Sequence, residues 1–530
     1  MRFACDALPK MVRCSVLLAA MTAAFGGPAA EAAAAPPAPA SDSFYSYTAP
    51  LKDVAPGTVL RSRQIQISVA GTPQAYPATQ LLYRTTDQLG LPSATVATII
   101  RPAGTAVAPM KLLSYQTFYD GVASTCRPSY TLQSGDPSNT TANADETLML
   151  DYVQQGFTVV TSDYEGPTDD YGAGHESGYG TLDAIRAAEH ALGLQPSSTP
   201  VGMVGYSGGS IASEWASELQ PKYAPELDII GVAEGGIPVD YVHVVDYING
   251  SSDWAGAIPA VSLGLMRAYG LNVAKYASAE GMQIYKQVAQ GCLNPTAYPG
   301  LKLEDLLKPG YKNWRKVPIF VRIFNASIMG LAGTPREPLL MGVGNADGTG
   351  DGVMVAKDVQ ELAYTYCIRH VPVEFHVYSN SDHVQAAPQF EAQAVPFLQA
   401  LYNGQSVTNE CSSMSPGNPL TPLPAPRQPK KTSPRLKLRS VTVDPRKRGL
   451  AITLSATHGT LRDVTVKLTH GKKLEAEATV ARLGGHARLL VLRTSGRAPT
   501  RGRYTLTILV GRAEVLHRTV TIRTHASRRR

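Results

Sequence analysis

From residue 95 to residue 379 the chain alternates short apolar runs with amphipathic ones. "TVATIIRP" (95–102), "MKLLSYQ" (110–116), "GFTVVTSDY" (156–164) and "PVGMVGYS" (200–207) are apolar stretches of strand length. They lack strict apolar/polar alternation, as strands buried on both faces of a mostly parallel sheet do. "GTLDAIRAAEHALGL" (180–194) and "VMVAKDVQELAYTYCIR" (353–369) carry helical spacing. Two late strands, "EPLLMGVG" (337–344) and "VPVEFHVYS" (371–379), flank the second of these helices. Strands separated by helices predict an α/β domain. Between about 238 and 330, "AIPAVSLGLMRAYGL" and "GMQIYKQVAQGCL" interrupt the rhythm with helices alone, which reads as an inserted cap.

The pattern changes after residue 411. Residues 412–433 are rich in proline, serine and basic residues and read as a solvated, semi-rigid linker. Residues 434–530 then show six short alternating runs, from "LKLRSVTV" and "GLAITLSA" to "RYTLTILV" and "LHRTVTIR". Strands at this spacing predict a small all-β, immunoglobulin-like sandwich or barrel.

Charge divides the chain at the same place. Residues 434–530 hold 22 Lys and Arg against 5 Asp and Glu, a net +17; the whole chain carries +7, so the residues before them sum to −10. Either the basic residues of the tail merely face solvent, or the tail holds the protein near an anionic surface such as cell-wall polymer or lipid headgroups. No nucleic-acid recognition signature is visible, and none is expected.

The N-terminus sets the compartment. Arg2, Lys10 and Arg13 precede the apolar "CSVLLAAMTAAFGG", and "PAAEAAAA" follows with small residues at A-x-A spacing. That order marks residues 1–32 as a secretory signal peptide, with a flexible leader at 33–44. No stretch reaches the roughly 18 consecutive apolar residues of a membrane span. Cys5 and Cys14 fall in the part to be removed, leaving Cys126, Cys292, Cys367 and Cys411. An even number in an oxidising compartment predicts two disulfides, with three pairings open. None of the spacings resembles a zinc site, so neither metal nor cofactor is expected.

Candidate chemistry centres on Gly205-Tyr206-Ser207-Gly208-Gly209, a G-x-S-x-G motif. "VGMVGY" enters it as a strand and "SIASEWASEL" leaves it with helical period, the setting of a nucleophile on a sharp strand-to-helix turn. A serine hydroxyl needs a base, and in this arrangement acid and histidine follow in that order after two late strands. Of the downstream histidines His243, His370, His376 and His383, the last, just past "VEFHVY", has that position; His370 and His376 read as structural. Two aspartates compete as the acid. Asp347 has the shorter register from its strand and is favoured; Asp351 is the alternative, and the loser reads as a turn or N-cap residue. The oxyanion donors are the backbone N–H of Gly208 and a group in the loop after "LLSYQ".

Taken together, "SYQTFYDGVASTCRPSY", "SDYEGP", "GYSGGSIASEWASELQPKYAPELDIIG" and "SDH" resemble the secretory lipases of the lipase A type, known from fungi and actinobacteria. The similarity covers roughly residues 45–411. It implies an α/β-hydrolase fold with a helical cap over the acyl site and a Ser-Asp-His triad carried by Ser207 and His383. By the same resemblance Asp120 joins Gly208 in the oxyanion hole, which requires its carboxyl to be protonated; alternatively Asp120 only orients its loop. The resemblance also implies the pairs Cys126–Cys292 and Cys367–Cys411. The long acid loop "NADGTGDG" and the basic β-domain depart from the family's fungal pattern. The expectation is a secreted or cell-surface monomer that cleaves carboxylic esters, as a triacylglycerol lipase or esterase. Two rivals stand: an acyltransferase acting on cell-surface lipids, and an anionic-surface-binding protein whose hydrolase body is inert.

Overall fold

The computed structural model describes residues 35–104, 109–426, 435–444, 449–457, 459–492, 501–511 and 513–522. The expected signal peptide, with Cys5 and Cys14, lies outside them. The chain forms two compact units, Met1–Pro426 and Arg427–Arg530.

The first unit is built on a nine-stranded sheet. Its strands are β1 (Val59–Val69), β2 (Thr72–Thr86), β3 (Pro92–Ile100), β4 (Lys111–Gln116), β5 (Phe157–Ser162), β6 (Pro200–Tyr206), β7 (Asp228–Gly235), β8 (Leu339–Asn345) and β9 (Val373–Ser379). Their spatial order is β1-β2-β3-β5-β4-β6-β7-β8-β9. β1, β2, β3 and β5 pair antiparallel, and from β5 to β9 every pair is parallel. Every residue of β5 is buried and all but the first of β4 and β6 are, as parallel strands covered by helices on both faces must be. One face is covered by the helices Gly174–Leu192, Gly208–Tyr223 and Ala356–Ile368, which bury Ile185, Trp215 and Leu362. The other is covered by Thr140–Gln154 and His383–Tyr402, which bury Met149, Phe390 and Leu398. Between β7 and β8 the chain is helical, with Tyr241–Ile248, Ala257–Ala268, Ala279–Val288 and Pro318–Ala326. The architecture is that of an α/β hydrolase.

The second unit is all-β. β10 (Leu436–Asp444), β11 (Gly449–Ala456) and β14 (Arg488–Leu492) form one sheet. β12 (Leu461–His470), β13 (Lys473–Leu483), β15 (Gly502–Val510) and β16 (Ala513–Ile522) form the other, in the order β13-β12-β15-β16. All pairs are antiparallel, and Ile452, Leu454, Val466, Leu468, Leu506 and Ile508 meet in one core.

The segment after the α/β elements differs from the solvated linker expected at 412–433. Its first part, to Pro426, is fastened to the body, while 427–433 lies outside the described residues. Leu420 and Leu423 pack against the core. Asn325 Nδ2 donates to the Leu423 carbonyl at 2.9 Å, and its Oδ1 accepts from the Leu423 N–H at 2.8 Å. Gly417 N–H donates to Glu361 at 2.7 Å and Asn418 Nδ2 to Asp358 at 2.7 Å. A proline-rich extended chain has no internal hydrogen bonds, so its backbone groups are free to take side-chain partners. Asn325→Ala removes both bonds at Leu423 and is expected to cost about 1–3 kcal/mol of stability. It is also expected to open residues 412–426 to limited proteolysis, read by mass spectrometry of the fragments. A segment that stays protected in the variant would contradict the fastening.

Candidate active site

Ser207 sits between β6 and the helix Gly208–Tyr223 with φ 55° and ψ −122°. That is a strained backbone for a residue with a β-carbon. Its neighbours make the turn tight. A Cβ at Gly205 would lie 2.3 Å from the Gly209 carbonyl oxygen, and one at Gly209 would lie 2.1 Å from the Gln116 oxygen. Both glycines are therefore demanded by close backbone approach rather than by flexibility. The Ser207 N–H is tied to the Gly235 carbonyl of β7 at 2.9 Å.

The Ser207 hydroxyl lies 2.7 Å from His383 Nε2, and His383 Nδ1 lies 2.7 Å from Asp351 Oδ2. All three residues are buried. Asp351 Oδ1 accepts from the backbone N–H groups of Val353 at 3.0 Å and Met354 at 2.7 Å, which leaves Oδ2 for the imidazole. His383 N–H donates to the Asp351 carbonyl at 2.8 Å, so the two residues are linked through backbone as well. His383 is the first residue of its helix, with Asp382 as N-cap. The Tyr206 hydroxyl holds the His383 carbonyl at 2.6 Å, and the Tyr206 and Trp254 rings each lie 5.1 Å from the imidazole. Trp254 had no signal in the sequence because it reaches the site from the helical insertion between β7 and β8.

The structure brings Asp351 to the histidine and leaves Asp347, the aspartate favoured from register, outside the chain of bonds. After β8 the backbone makes an excursion closed by Ala346 N–H to the Gly350 carbonyl at 2.7 Å, turning at Gly348 and Gly352 with φ 87° and 102°. Asp347 rides on its exposed outer side and accepts from the N–H groups of Thr349 at 2.7 Å and Gly350 at 3.0 Å and from the Tyr247 hydroxyl at 2.9 Å. Its slight burial pushes its carboxyl up, but those bonds outweigh it and hold the group below the ordinary range. Asp351 returns to the strand end, where a Cβ on Gly344 would lie 2.8 Å from its Cβ. The other histidines are engaged elsewhere: His243 lies 3.0 Å from Asp358, His376 2.9 Å from Glu374, and His370 ends a helix at φ 67°.

Asp120 follows β4 and is buried, with φ 21°. Its Oδ1 has no hydrogen-bond partner and stands 1.5 Å from where a Cβ on Gly208 would be, so only glycine fits after the serine. Burial pushes its carboxyl up to about 6, against the pull of a Tyr171 hydrogen bond and of His383. The loop is anchored by Leu293 N–H to the Asp120 carbonyl at 2.8 Å and by the Cys126–Cys292 disulfide. The Cys367–Cys411 bridge is also formed. On the cap side of Gly208 lies a cavity lined almost wholly by apolar side chains, among them Tyr171, Ile211, Tyr241, Leu265 and Phe320. On the other side Ser207 and His383 open into a pocket with Phe118, Asn139, Trp254 and Val384. Among the described residues no group of His, Cys, Asp and Glu is placed to hold a metal ion.

Residues 132–410 match the family model described as "Secretory lipase". A probable inactive lipase of Mycobacterium tuberculosis is 34% identical over 381 residues, covering 70% of this chain and 84% of the relative. Lipase 2 of Candida albicans is 32% identical over 399 residues, covering 71% and 83%. The crystal structure of Candida antarctica lipase A in its closed state superposes with a TM-score of 0.65 at 29% identity, covering 74% of this chain and 93% of that one.

Buried carboxyls extend beyond Asp120. Burial raises Asp163 to about 6, Glu189, Glu337 and Glu391 to about 7, and Glu146 to about 8. A carboxyl whose folded pKa exceeds its unfolded one contributes stability that is full below the unfolded value, near 4, and is lost as pH rises through the folded value. The unfolding temperature of the α/β unit is therefore expected to be higher at pH 5 than at pH 8, with the fall beginning near pH 4 and levelling off once pH has passed these folded values. Calorimetry across that range checks it, and a stability that rises from pH 5 to pH 8 would contradict it.

Proposed function

The chain belongs to the secretory lipase family, and from that premise we propose that its first unit cleaves carboxylic esters of long acyl chains through an acyl-enzyme on Ser207. The observation that carries the reading is the continuous chain Ser207–His383–Asp351, with two bonds of 2.7 Å in a buried setting. Ser207 Oγ attacks the ester carbonyl carbon, and its proton passes to His383 Nε2. The carbonyl oxygen becomes an oxyanion, met by the Gly208 N–H and by the Asp120 carboxyl in its protonated form. His383 then gives its proton to the leaving alcohol as the C–O bond breaks. Water, deprotonated by His383, attacks the acyl-enzyme and releases the carboxylic acid. Asp351 holds the imidazole in the tautomer that carries hydrogen on Nδ1 and stabilises the imidazolium. The apolar cavity beside Gly208 takes the acyl chain, which favours long chains because each methylene gains burial. Export to an oxidising compartment accords with the two disulfides and with the family's description.

One finding favours a second reading, an inert hydrolase body: a relative 34% identical over 381 residues is named as a probable inactive lipase. Hydrolysis of p-nitrophenyl esters by the mature chain separates the two. The palmitate is expected to exceed the acetate in kcat/KM by at least roughly tenfold. Ser207→Ala is expected to lose about 10⁶-fold in kcat and Asp351→Asn about 10⁴-fold, while Asp347→Asn stays within a few-fold of wild type. Equal rates for wild type and Ser207→Ala on every ester would favour the inert reading.

The donor role of Asp120 has its own pH signature. With its carboxyl at about 6, its donating form is lost as pH rises through that value. Asp120→Ala is expected to lower kcat by about 10²–10³-fold. Asp120→Asn, which donates at every pH, is expected to retain more of its pH 6 rate at pH 8 than wild type does. Two variants with the same deficit and the same pH profile would reduce Asp120 to a loop-orienting residue.

A further inference from the structure

We propose that the all-β unit docks on the surface of an anionic lipid bilayer through an arginine patch centred on Arg462, Arg482 and Arg488. Arg462 on β12 and Arg482 on β13 are direct cross-strand partners. Arg488, at the start of β14, donates from Nη1 to the Arg482 carbonyl at 3.3 Å, which brings the third guanidinium to the same end of the unit. Arg435 adjoins them, because Leu436 pairs with Ala456 and Ala456 N–H donates to the Gly484 carbonyl at 2.8 Å. All four are exposed.

Like charges set directly opposite on a sheet destabilise it, so this pairing works against the fold unless a counter-anion is present. Among the described residues no carboxylate forms an ion pair with these arginines, exposed Asp463 next to Arg462 included. The unit's three glutamates are engaged elsewhere, Glu477 with Lys467, Glu475 with Lys473 and Glu514 with His517. None of the four arginines has a carboxylate within ion-pair distance among those residues. Guanidinium forks match the oxygens of a phosphate, and several on one exposed end suit a surface that presents many phosphates at once. Leu489 selects a bilayer over a soluble phosphate polymer. It follows Arg488 on β14 at the same end of the unit and is 49% exposed, an apolar side chain on the outer face of the strand that can enter the headgroup layer. The net +17 of residues 434–530, joined to a remainder of net −10, adds the long-range attraction to such a surface. Docking through these arginines requires no catalysis at Ser207.

The test uses the full mature chain and sedimentation with phosphatidylcholine vesicles, with and without 30% phosphatidylglycerol. Wild type is expected to bind the anionic vesicles, to ignore the neutral ones, and to lose binding when salt is raised from about 50 to 500 mM. Each arginine removed is expected to weaken binding about fivefold, so Arg482→Gln/Arg488→Gln loses about 25-fold. Lys472→Gln/Lys473→Gln removes the same charge at another hairpin and is expected to lose less than about threefold. Leu489→Ser is expected to weaken vesicle binding and leave retention on a phosphate column unchanged. Unchanged circular dichroism in each variant keeps misfolding apart from loss of contact. Equal losses in the two double variants would overturn the patch. Binding of wild type to soluble polyphosphate, with no vesicle binding or with no effect of Leu489→Ser, would overturn the bilayer as the partner.

Discussion

Ser207 is held at φ 55° and ψ −122°, a conformation costing on the order of 1–3 kcal/mol, and the catalytic unit is arranged so that this turn cannot relax. The serine N–H is bonded to β7, the following helix packs on the sheet, and Gly205 and Gly209 let backbone approach backbone where no side chain would fit. The consequence is directional. The hydroxyl is presented at the carboxyl ends of the parallel strands, where β8 and β9 also end. Asp351 and His383, following those strands, then need only short segments to reach it. The parallel sheet thus converts three distant sequence positions into two bonds of 2.7 Å.

That logic explains what could be read from the chain. The buried parallel strands were legible as unbroken apolar runs, and Ser207 by the strand before it and the helix after it. The β1–β2 hairpin left no such signal, because Arg61, Arg63, Gln64 and Gln66 interrupt its apolar positions at the edge of the sheet. β13 was missed for another reason: "KLEAEATVARL" is composed of helix formers, and pairing with β12 overrides that preference. Counting from β8 favoured Asp347 because counting assumes a direct path. The excursion at 346–350 breaks that assumption, and only its closing bond from Ala346 to Gly350 reveals it. The apolar cavity beside Gly208 gathers side chains from several elements of the insertion, and no local pattern announces such a convergence.

Electrostatics divides the molecule in two different ways. In the α/β unit carboxyls such as Glu146 and Glu337 are buried, with both oxygens of the first and Oε1 of the second lacking a hydrogen-bond partner, so burial favours their neutral form. Asp120 belongs to the same class, which is what makes a carboxyl eligible as a donor in the oxyanion hole. In the all-β unit the excess charge is positive, and its described arginines lie on the surface, where they cost little desolvation and act at a distance.

Covalent labelling tests whether Ser207 is the nucleophile without assuming any substrate. Mature protein is treated with a fluorophosphonate, which phosphonylates activated serines, and the site is mapped by peptide mass spectrometry. The expected result is a single adduct per chain, on Ser207, with none formed in Asp351→Asn on the same timescale. An unlabelled protein, or an adduct on any other serine, would contradict the assignment.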